Sequence, residues 1–270
     1  MISAVALSAL LAVAPAGSTS PGYRLAVSLA EAGPRPAASA GERSAQLRMR
    51  RVFKESGLSV VADRFSVPGR GASRNIVGIH ETDASCLTIV MAHSDSTPNS
   101  PGALDNASGL GALVDFAPRV AQIDPECDVW LVATGAEERV YTGRPDHLGA
   151  SALVRRVKRE RRTRDLRLAL SLDEVGRGTR MHLHSSARSP RRGVEHAVTR
   201  AARGTGLSVR WLRDSGSGNS DHREFQIRGL PAAKLGVPDN PYRHSPRDTR
   251  DKLNAATFPR VRRLLEALAR

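Results

Sequence analysis

The strongest constraint on the fold is a set of short apolar runs: CLTIVMAH (86–93), DVWLVAT (128–134) and LRLALSLD (166–173). Each stops abruptly at polar or glycine-rich sequence, and runs of this length and composition read as buried strands. Further strand candidates lie at 60–67, 75–80, 181–185, 207–212 and 231–237. Helical stretches fall between them at about 41–57, 106–117, 147–161, 190–203 and 251–269. In the first, Leu47, Val52 and Phe53 form the apolar face; in the second, Leu110, Leu113, Val114 and Ala117 share one. Alternation of this kind predicts a single α/β domain with a central mixed, largely parallel sheet of about eight strands flanked by helices. Neither a repeat nor a linker divides the chain, and 270 residues at 40% apolar content can bury a full-sized core. Sheets of this class place their sites beyond the carboxyl ends of strands.

Those ends carry a consistent chemistry. His93 closes its run, Asp105 follows in ALDNASG, Glu137 and Glu138 end VWLVATGAEE, Asp173 ends LRLALSLD, and His244 follows the last apolar strand. Carboxylates and imidazoles are the ligands zinc accepts. Taken singly, each has an ordinary explanation: a strand-end His is commonly a surface residue, an Asp before Asn commonly caps a helix or turns the chain, and paired glutamates commonly face solvent. Caps and solvated faces do not predict that all these groups gather at one edge of one sheet.

Short motifs accompany those residues: HSD (93–95), DNASG (105–109), GAEE (135–138), SLDEVG (171–176), SDHREF (220–225) and HSPRDT (244–249). The series resembles the co-catalytic di-zinc aminopeptidase and glutamate carboxypeptidase family, metallopeptidase family twenty-eight, from about residue 24 to the end. The resemblance implies the zinc-dependent exopeptidase fold and two zinc ions. Asp105 would bridge them, with His93 and Asp173 on one and Glu138 and His244 on the other. Glu137 would be the general base, and Asp95 and Asp248 would hold the His93 and His244 rings. Paired zincs polarise a peptide carbonyl and acidify water, and a carboxylate must then move the proton to the leaving amine.

Some positions depart from that pattern. In one branch of the family a Tyr directly precedes the last ligand His and donates to the oxyanion; here Arg243 stands between Tyr242 and His244, so the role falls to Tyr242, to Arg243 or to neither. Glu174 replaces a usual apolar residue and is either a solvent-facing or Arg-paired carboxylate or a holder of the substrate α-amino group. RVYTGRPDHLGAS (139–151) reads as a rim loop leading into a helix near His147, which lies outside the ligand set. His222 is expected as a pocket wall or a support for the ligands. His182 and His184 share a strand face, in cross-strand packing rather than a minor metal site. Phe225 and Ile227 are expected to line the pocket for the first substrate side chain, favouring apolar residues such as Leu.

MISAVALSALLAVAPAGSTSPG at the start resembles a secretory signal peptide, giving 1–16 as signal and 17–270 as the zinc peptidase domain. Export would permit a bridge between Cys86 and Cys127, which begin two strands at equivalent positions. The net charge of +14 comes almost wholly from arginines scattered along the chain, with Lys only at 54, 158, 234 and 252; such scatter is surface composition rather than a nucleic-acid track. Outside the leader, no stretch is long and apolar enough to span a bilayer. The expectation is therefore a secreted, monomeric aminopeptidase acting on peptides with a free N-terminus, without nucleic-acid or membrane partners. A carboxypeptidase or glutaminyl cyclase on the same scaffold, or a non-catalytic binding relative, are the alternatives.

Overall fold

The computed structural model describes residues 19–138, 141, 147–186, 192–216 and 218–270. The expected signal peptide, 1–16, and most of the expected rim loop lie outside the described residues. An eight-stranded mixed sheet forms the centre: β1 (Ser59–Val67), β2 (Gly71–His80), β3 (Leu87–His93), β4 (Asp128–Thr134), β5 (Leu166–Leu172), β6 (Arg180–Ser186), β7 (Ser208–Asp214) and β8 (Ala232–Gly236). Their order is β1-β2-β4-β3-β5-β8-β6-β7. The middle strands β4, β3, β5 and β8 run parallel, while β1 and β2 form an antiparallel hairpin on one flank and β6 joins β8 antiparallel on the other. The expected eight strands and α/β class are both present.

Every residue of β3 and β4 is buried. A strand covered on both faces has no need of polar alternation, which is why these runs read as continuous apolar sequence. After β3 the chain crosses to β4, and after β4 it passes over β3 to reach β5. The reversal opens a crevice beyond the carboxyl end of β3, where His93 lies.

Two helices precede the sheet, α1 (Pro21–Glu31) and α2 (Ala40–Glu55); α3 (Ser108–Phe116), α4 (Leu148–Arg159), α5 (Arg192–Ala201), α6 (His222–Gln226) and α7 (Thr257–Ala269) follow. The sequence reading missed α1, although Ser20 caps it through the Tyr23 N–H and Pro21 opens it. α2 turns Ala45, Met49 and the expected Phe53 inward, with Val52 packed at the core's edge, whereas Leu47, expected on the same face, is 53% exposed. The stretch expected as a helix from 106 begins instead with a π-type turn, Ala103–Ala107, in which Asp105 and Asn106 leave helical geometry. All of α3 is buried. Its Gly111 meets Gly22 of α1 so closely that a Cβ on Gly22 would stand 2.0 Å from the Gly111 carbonyl oxygen. Hence α1 seats backbone against backbone, tied by the Gly22 N–H to Asp115 at 2.7 Å.

Cys86 and Cys127 form a disulfide at the amino ends of β3 and β4, with Cα atoms 4.9 Å apart. The sequence separation of 41 closes a long loop, and its loss from the unfolded chain is worth about 4 kcal/mol by loop-closure entropy. Replacing both cysteines by alanine is expected to lower unfolding free energy by about that amount in urea titration, with the slope on denaturant rising as the unfolded chain expands.

Candidate metal centre

Five segments bring their polar ends together at the crevice. β3 delivers His93, the π-type turn delivers Asp105, and β4 runs through Gly135 and Ala136 into Glu137 and Glu138. β5 leads to Asp173, and the loop after β8 carries His244 in a left-handed conformation (φ 56°). Asp105 occupies the middle. Its Oδ1 is 3.1 Å from His93 Nε2, and its Oδ2 is 3.4 Å from His244 Nε2. On one side His93 Nε2 also lies 3.6 Å from Asp173 Oδ1; on the other His244 Nε2 lies 2.9 Å from Glu138 Oε2.

Separate carboxylates fix the loops that carry these groups. Asp95 accepts the N–H groups of Glu137 (3.1 Å) and Glu138 (3.0 Å), while His93 Nδ1 faces the Asp95 carbonyl oxygen at 3.1 Å. The His93 ring is therefore steadied mainly by the Asp95 backbone, and the Asp95 side chain serves the Glu pair. Asp248, expected beside His244, instead accepts the N–H groups of Leu104 (2.9 Å) and Asp105 (3.0 Å) and so fixes the bridging carboxylate. Asn106 ties the same turn to β5, donating to the Leu172 carbonyl oxygen and accepting the Gly109 N–H.

The electrostatics follow from burying so many carboxylates together. Burial, with the neighbouring Asp105 charge, pushes Glu138 up to about 8. Burial acts on Asp105 in the same sense, but hydrogen bonds from His244 and His93 outweigh it and hold that carboxyl well below the usual range. Hydrogen bonds to Asp105 and Glu138 lift the His244 imidazole to about 10. Burial similarly opposes ionisation of Asp173, whose carboxyl the Lys234 ammonium and His93 nonetheless keep well below normal.

A divalent cation fits this set. His93 Nε2 and Asp173 Oδ1 are buried and face the same space at 3.6 Å from one another, too far apart for a hydrogen bond between them. Three groupings bring ligand atoms within 4.8 Å of one another: His93 with Asp105 and Asp173, Asp105 with Glu138 and His244, and His93 with Glu137 and Glu138. Carboxylate oxygens and imidazole nitrogens are the donors zinc takes.

A cavity of about 190 Å³ opens over the centre, lined by Glu137, Glu138, His147, Asn219, Arg223 and Arg243 among others. Glu137 Oε1 is 3.2 Å from His147 Nε2, a contact the sequence reading did not anticipate. Phe225 does not line this cavity: it is fully buried in the core with Met91, Trp130 and Val154, because α6 turns it under the sheet. Ile227 is 48% exposed on the outer surface, leaving the apolar pocket wall expected from these two residues absent. Tyr242 also lies off the cavity, its ring covered by Lys252 Nζ at 4.7 Å. Arg243 lines it and grips Glu174 through two hydrogen bonds of 3.0 and 2.6 Å, so Glu174 is the Arg-paired carboxylate rather than a free anion. His182 and His184 pack with ring centroids 5.8 Å apart, and His184 Nδ1 meets Asp214 at 2.9 Å; no metal grouping occurs there among the described residues.

Further contributors escaped the sequence reading. Arg35 is buried and donates to the carbonyl oxygens of Ser94, Leu29, Pro101 and Gly102, pinning the loop between His93 and Asp105. Glu42 of α2 accepts the Ala136 N–H, and Gln46 donates to Ser94 Oγ. Lys234 had a visible signal, as a lysine inside the apolar run PAAKLGV of an arginine-rich chain.

Two expectations follow. Asp248→Asn leaves an amide facing one of the two N–H groups, and zinc affinity measured by chelator competition should fall about 10–100-fold. His222 is fully buried and its ring makes no hydrogen bond; burial, aided by the Lys234 charge, lowers it to about 3. The folded state thus excludes the proton that an unfolded histidine accepts near 6.5. His222 stabilises the fold above that value, and its contribution is lost as pH falls towards about 3. In urea titrations across this window, His222→Phe should show a shallower fall in stability than the parent chain.

The profile of peptidase family M28 matches residues 75–269. Aminopeptidase YwaD of Bacillus subtilis is 28% identical over 193 residues, covering 66% of this chain; the chain spans only about 40% of that relative's length. Among solved structures, the zinc aminopeptidase BSAP from Bacillus subtilis superposes with a TM-score of 0.80 at 18% identity, over 92% of this chain and 93% of that one. A glutaminyl cyclase from Fimbriiglobus ruber gives 0.80 at 19% identity, over 94% and 97% of the two chains. On the breadth of its match to the family profile, the chain belongs to peptidase family M28.

Proposed function

We propose that the chain is a zinc-dependent aminopeptidase that removes N-terminal residues from peptides. The observation that carries this reading is the central carboxylate: Asp105 presents one oxygen to His93 and the other to His244, with Asp173 and Glu138 completing the two sides. His93, Asp105 and Asp173 would hold one zinc; Asp105, Glu138 and His244 would hold a second. Bound there, two zincs would polarise the scissile carbonyl and acidify the attacking water.

The chain's own groups supply the rest. Glu137 follows the same turn as Glu138, but its Oε1 is directed to His147 across the cavity mouth. In this reading Glu137 takes the proton of the attacking water and returns it to the leaving amine, a role worth about 10²–10⁴-fold. His147 orients that carboxylate. Arg243 reaches within 3.7 Å of Asp105 Oδ2 from the cavity wall and is better placed than Tyr242 to meet an oxyanion. Glu174 serves this reading by fixing the guanidinium.

Secretion, and activity as a monomer on soluble peptides, belong to the same proposal. The Cys86–Cys127 disulfide supports an oxidising compartment, and among the described residues no helix is long and apolar enough to cross a membrane.

Purified protein is expected to release nitroaniline from aminoacyl-nitroanilides, to lose that activity to a chelator and to regain it with zinc. Glu137→Ala should lower kcat by about 10²–10⁴ while bound zinc, measured by elemental analysis, is retained. Conversion of N-terminal glutaminyl peptides to pyroglutamyl products without release of any residue would instead identify a cyclase, and release only from C-termini a carboxypeptidase.

A further inference from the structure

Lys234 lies in β8 between Ala233 and Leu235 and is 4% exposed. A lysine this deep needs a partner. Its ammonium stands 2.9 Å from Asp173 Oδ2, while Asp173 Oδ1 faces His93 Nε2 at 3.6 Å without a hydrogen bond. One oxygen of Asp173 therefore belongs to the lysine and the other to the metal centre.

We propose that Lys234 is a charge-tuning residue that weakens zinc binding at the His93/Asp173 half of the centre relative to the Glu138/His244 half. This inference rests on the zinc reading above. The two halves share Asp105, one oxygen each, and each adds one carboxylate and one imidazole of its own. Equal donor sets would give similar affinities, so the difference must come from what stands behind them.

Behind Asp173 stands a full positive charge in contact with the ligand itself. On the other half Arg243 stands 3.7 Å from Asp105 Oδ2, but Glu174 holds its guanidinium at 3.0 and 2.6 Å and the pair carries no net charge; Arg35, also buried nearby, donates to the carbonyl oxygens of Ser94, Pro101 and Gly102 rather than to a ligand side chain. With Glu174 engaged by Arg243, the charge on Lys234 falls on Asp173. It withdraws negative charge from that ligand and repels a divalent ion a few ångströms away, in a buried site where screening is weak.

An opposing effect exists. A hydrogen bond to a ligating carboxylate holds it in position, and such supporting groups are commonly worth about 10–100-fold in affinity. For Lys234 the repulsion involves a unit charge and a divalent ion, whereas the orienting contribution is a single hydrogen bond on a carboxylate that β5 already places, so repulsion dominates.

The test removes zinc stepwise from the loaded full chain with buffers of decreasing free zinc, bound metal being read by elemental analysis. The parent protein should lose zinc in two steps, and His93→Ala should abolish the weaker while retaining the stronger. Lys234→Met should shift the weaker step to at least about tenfold lower free zinc and leave the stronger within about twofold. Lys234→Gln retains an N–H donor for Asp173 but no charge, and should shift the weaker step in the same direction. It also guards against a folding defect in the Met variant. A weaker step that stays put in both variants, or moves to higher free zinc, overturns the role given to Lys234 while leaving the aminopeptidase reading intact. A parent protein that binds no zinc overturns both.

Discussion

Mutual repulsion among buried carboxylates is the constraint around which this molecule is arranged. Asp105, Glu137, Glu138 and Asp173 lie at one crevice, all at most 6% exposed. Each would be costly to bury alone. The fold answers with backbone donors and fixed cations. Asp95 and Asp248 each take two N–H groups and hold the segments bearing the Glu pair and Asp105, while Lys234 supplies positive charge beside Asp173 and Arg243, paired with Glu174, closes the opposite flank without adding net charge. Hydrogen bonds to charged groups are individually worth about 1.5–3 kcal/mol, enough collectively to hold the segments of the cluster in place.

The parallel sheet provides the rigidity this requires. His93 is in register with Thr134, and Asp173 donates its N–H to the Leu235 carbonyl oxygen of β8. Side chains at the ends of paired strands therefore inherit positions set by the ladder rather than by flexible loops. Asp105 and the Glu pair lie off the strands, and there a buried carboxylate ties down the backbone N–H groups instead, Asp248 for Asp105 and Asp95 for Glu137 and Glu138.

Much of this was legible in the sequence, for a physical reason. Strands buried on both faces are continuous apolar runs, so their ends are sharply marked, and His93 and Asp173 stand out against what precedes them. Short-range motifs likewise located Asp105, the Glu pair and His244. Legibility failed where a side chain's direction depends on tertiary packing. Phe225 follows a motif that approaches the centre, but one turn of helix carries it to the core; Tyr242 adjoins His244 in sequence, but its ring turns outward to Lys252. Asp248 was placed near the right loop and given the wrong neighbour, because contact between residues 144 apart cannot be inferred from spacing. Arg35 carried no pattern, and Glu42 read only as the third residue of a capped helix, because their contacts to the site loops are with backbone atoms far along the chain.

The arginine clamp has a consequence for how this domain can be inherited. The family profile begins at residue 75, inside β2, whereas Arg35, Glu42 and Gln46, which grip the loops bearing the site, all lie upstream. Recombination that grafted a new partner at the recognisable boundary would separate the catalytic loops from the side chains that shape them, and half of a hairpin would go with the loss. A junction ahead of Pro21 would transmit the apparatus whole. The unit that selection can shuffle is thus longer than the unit by which kinship is detected.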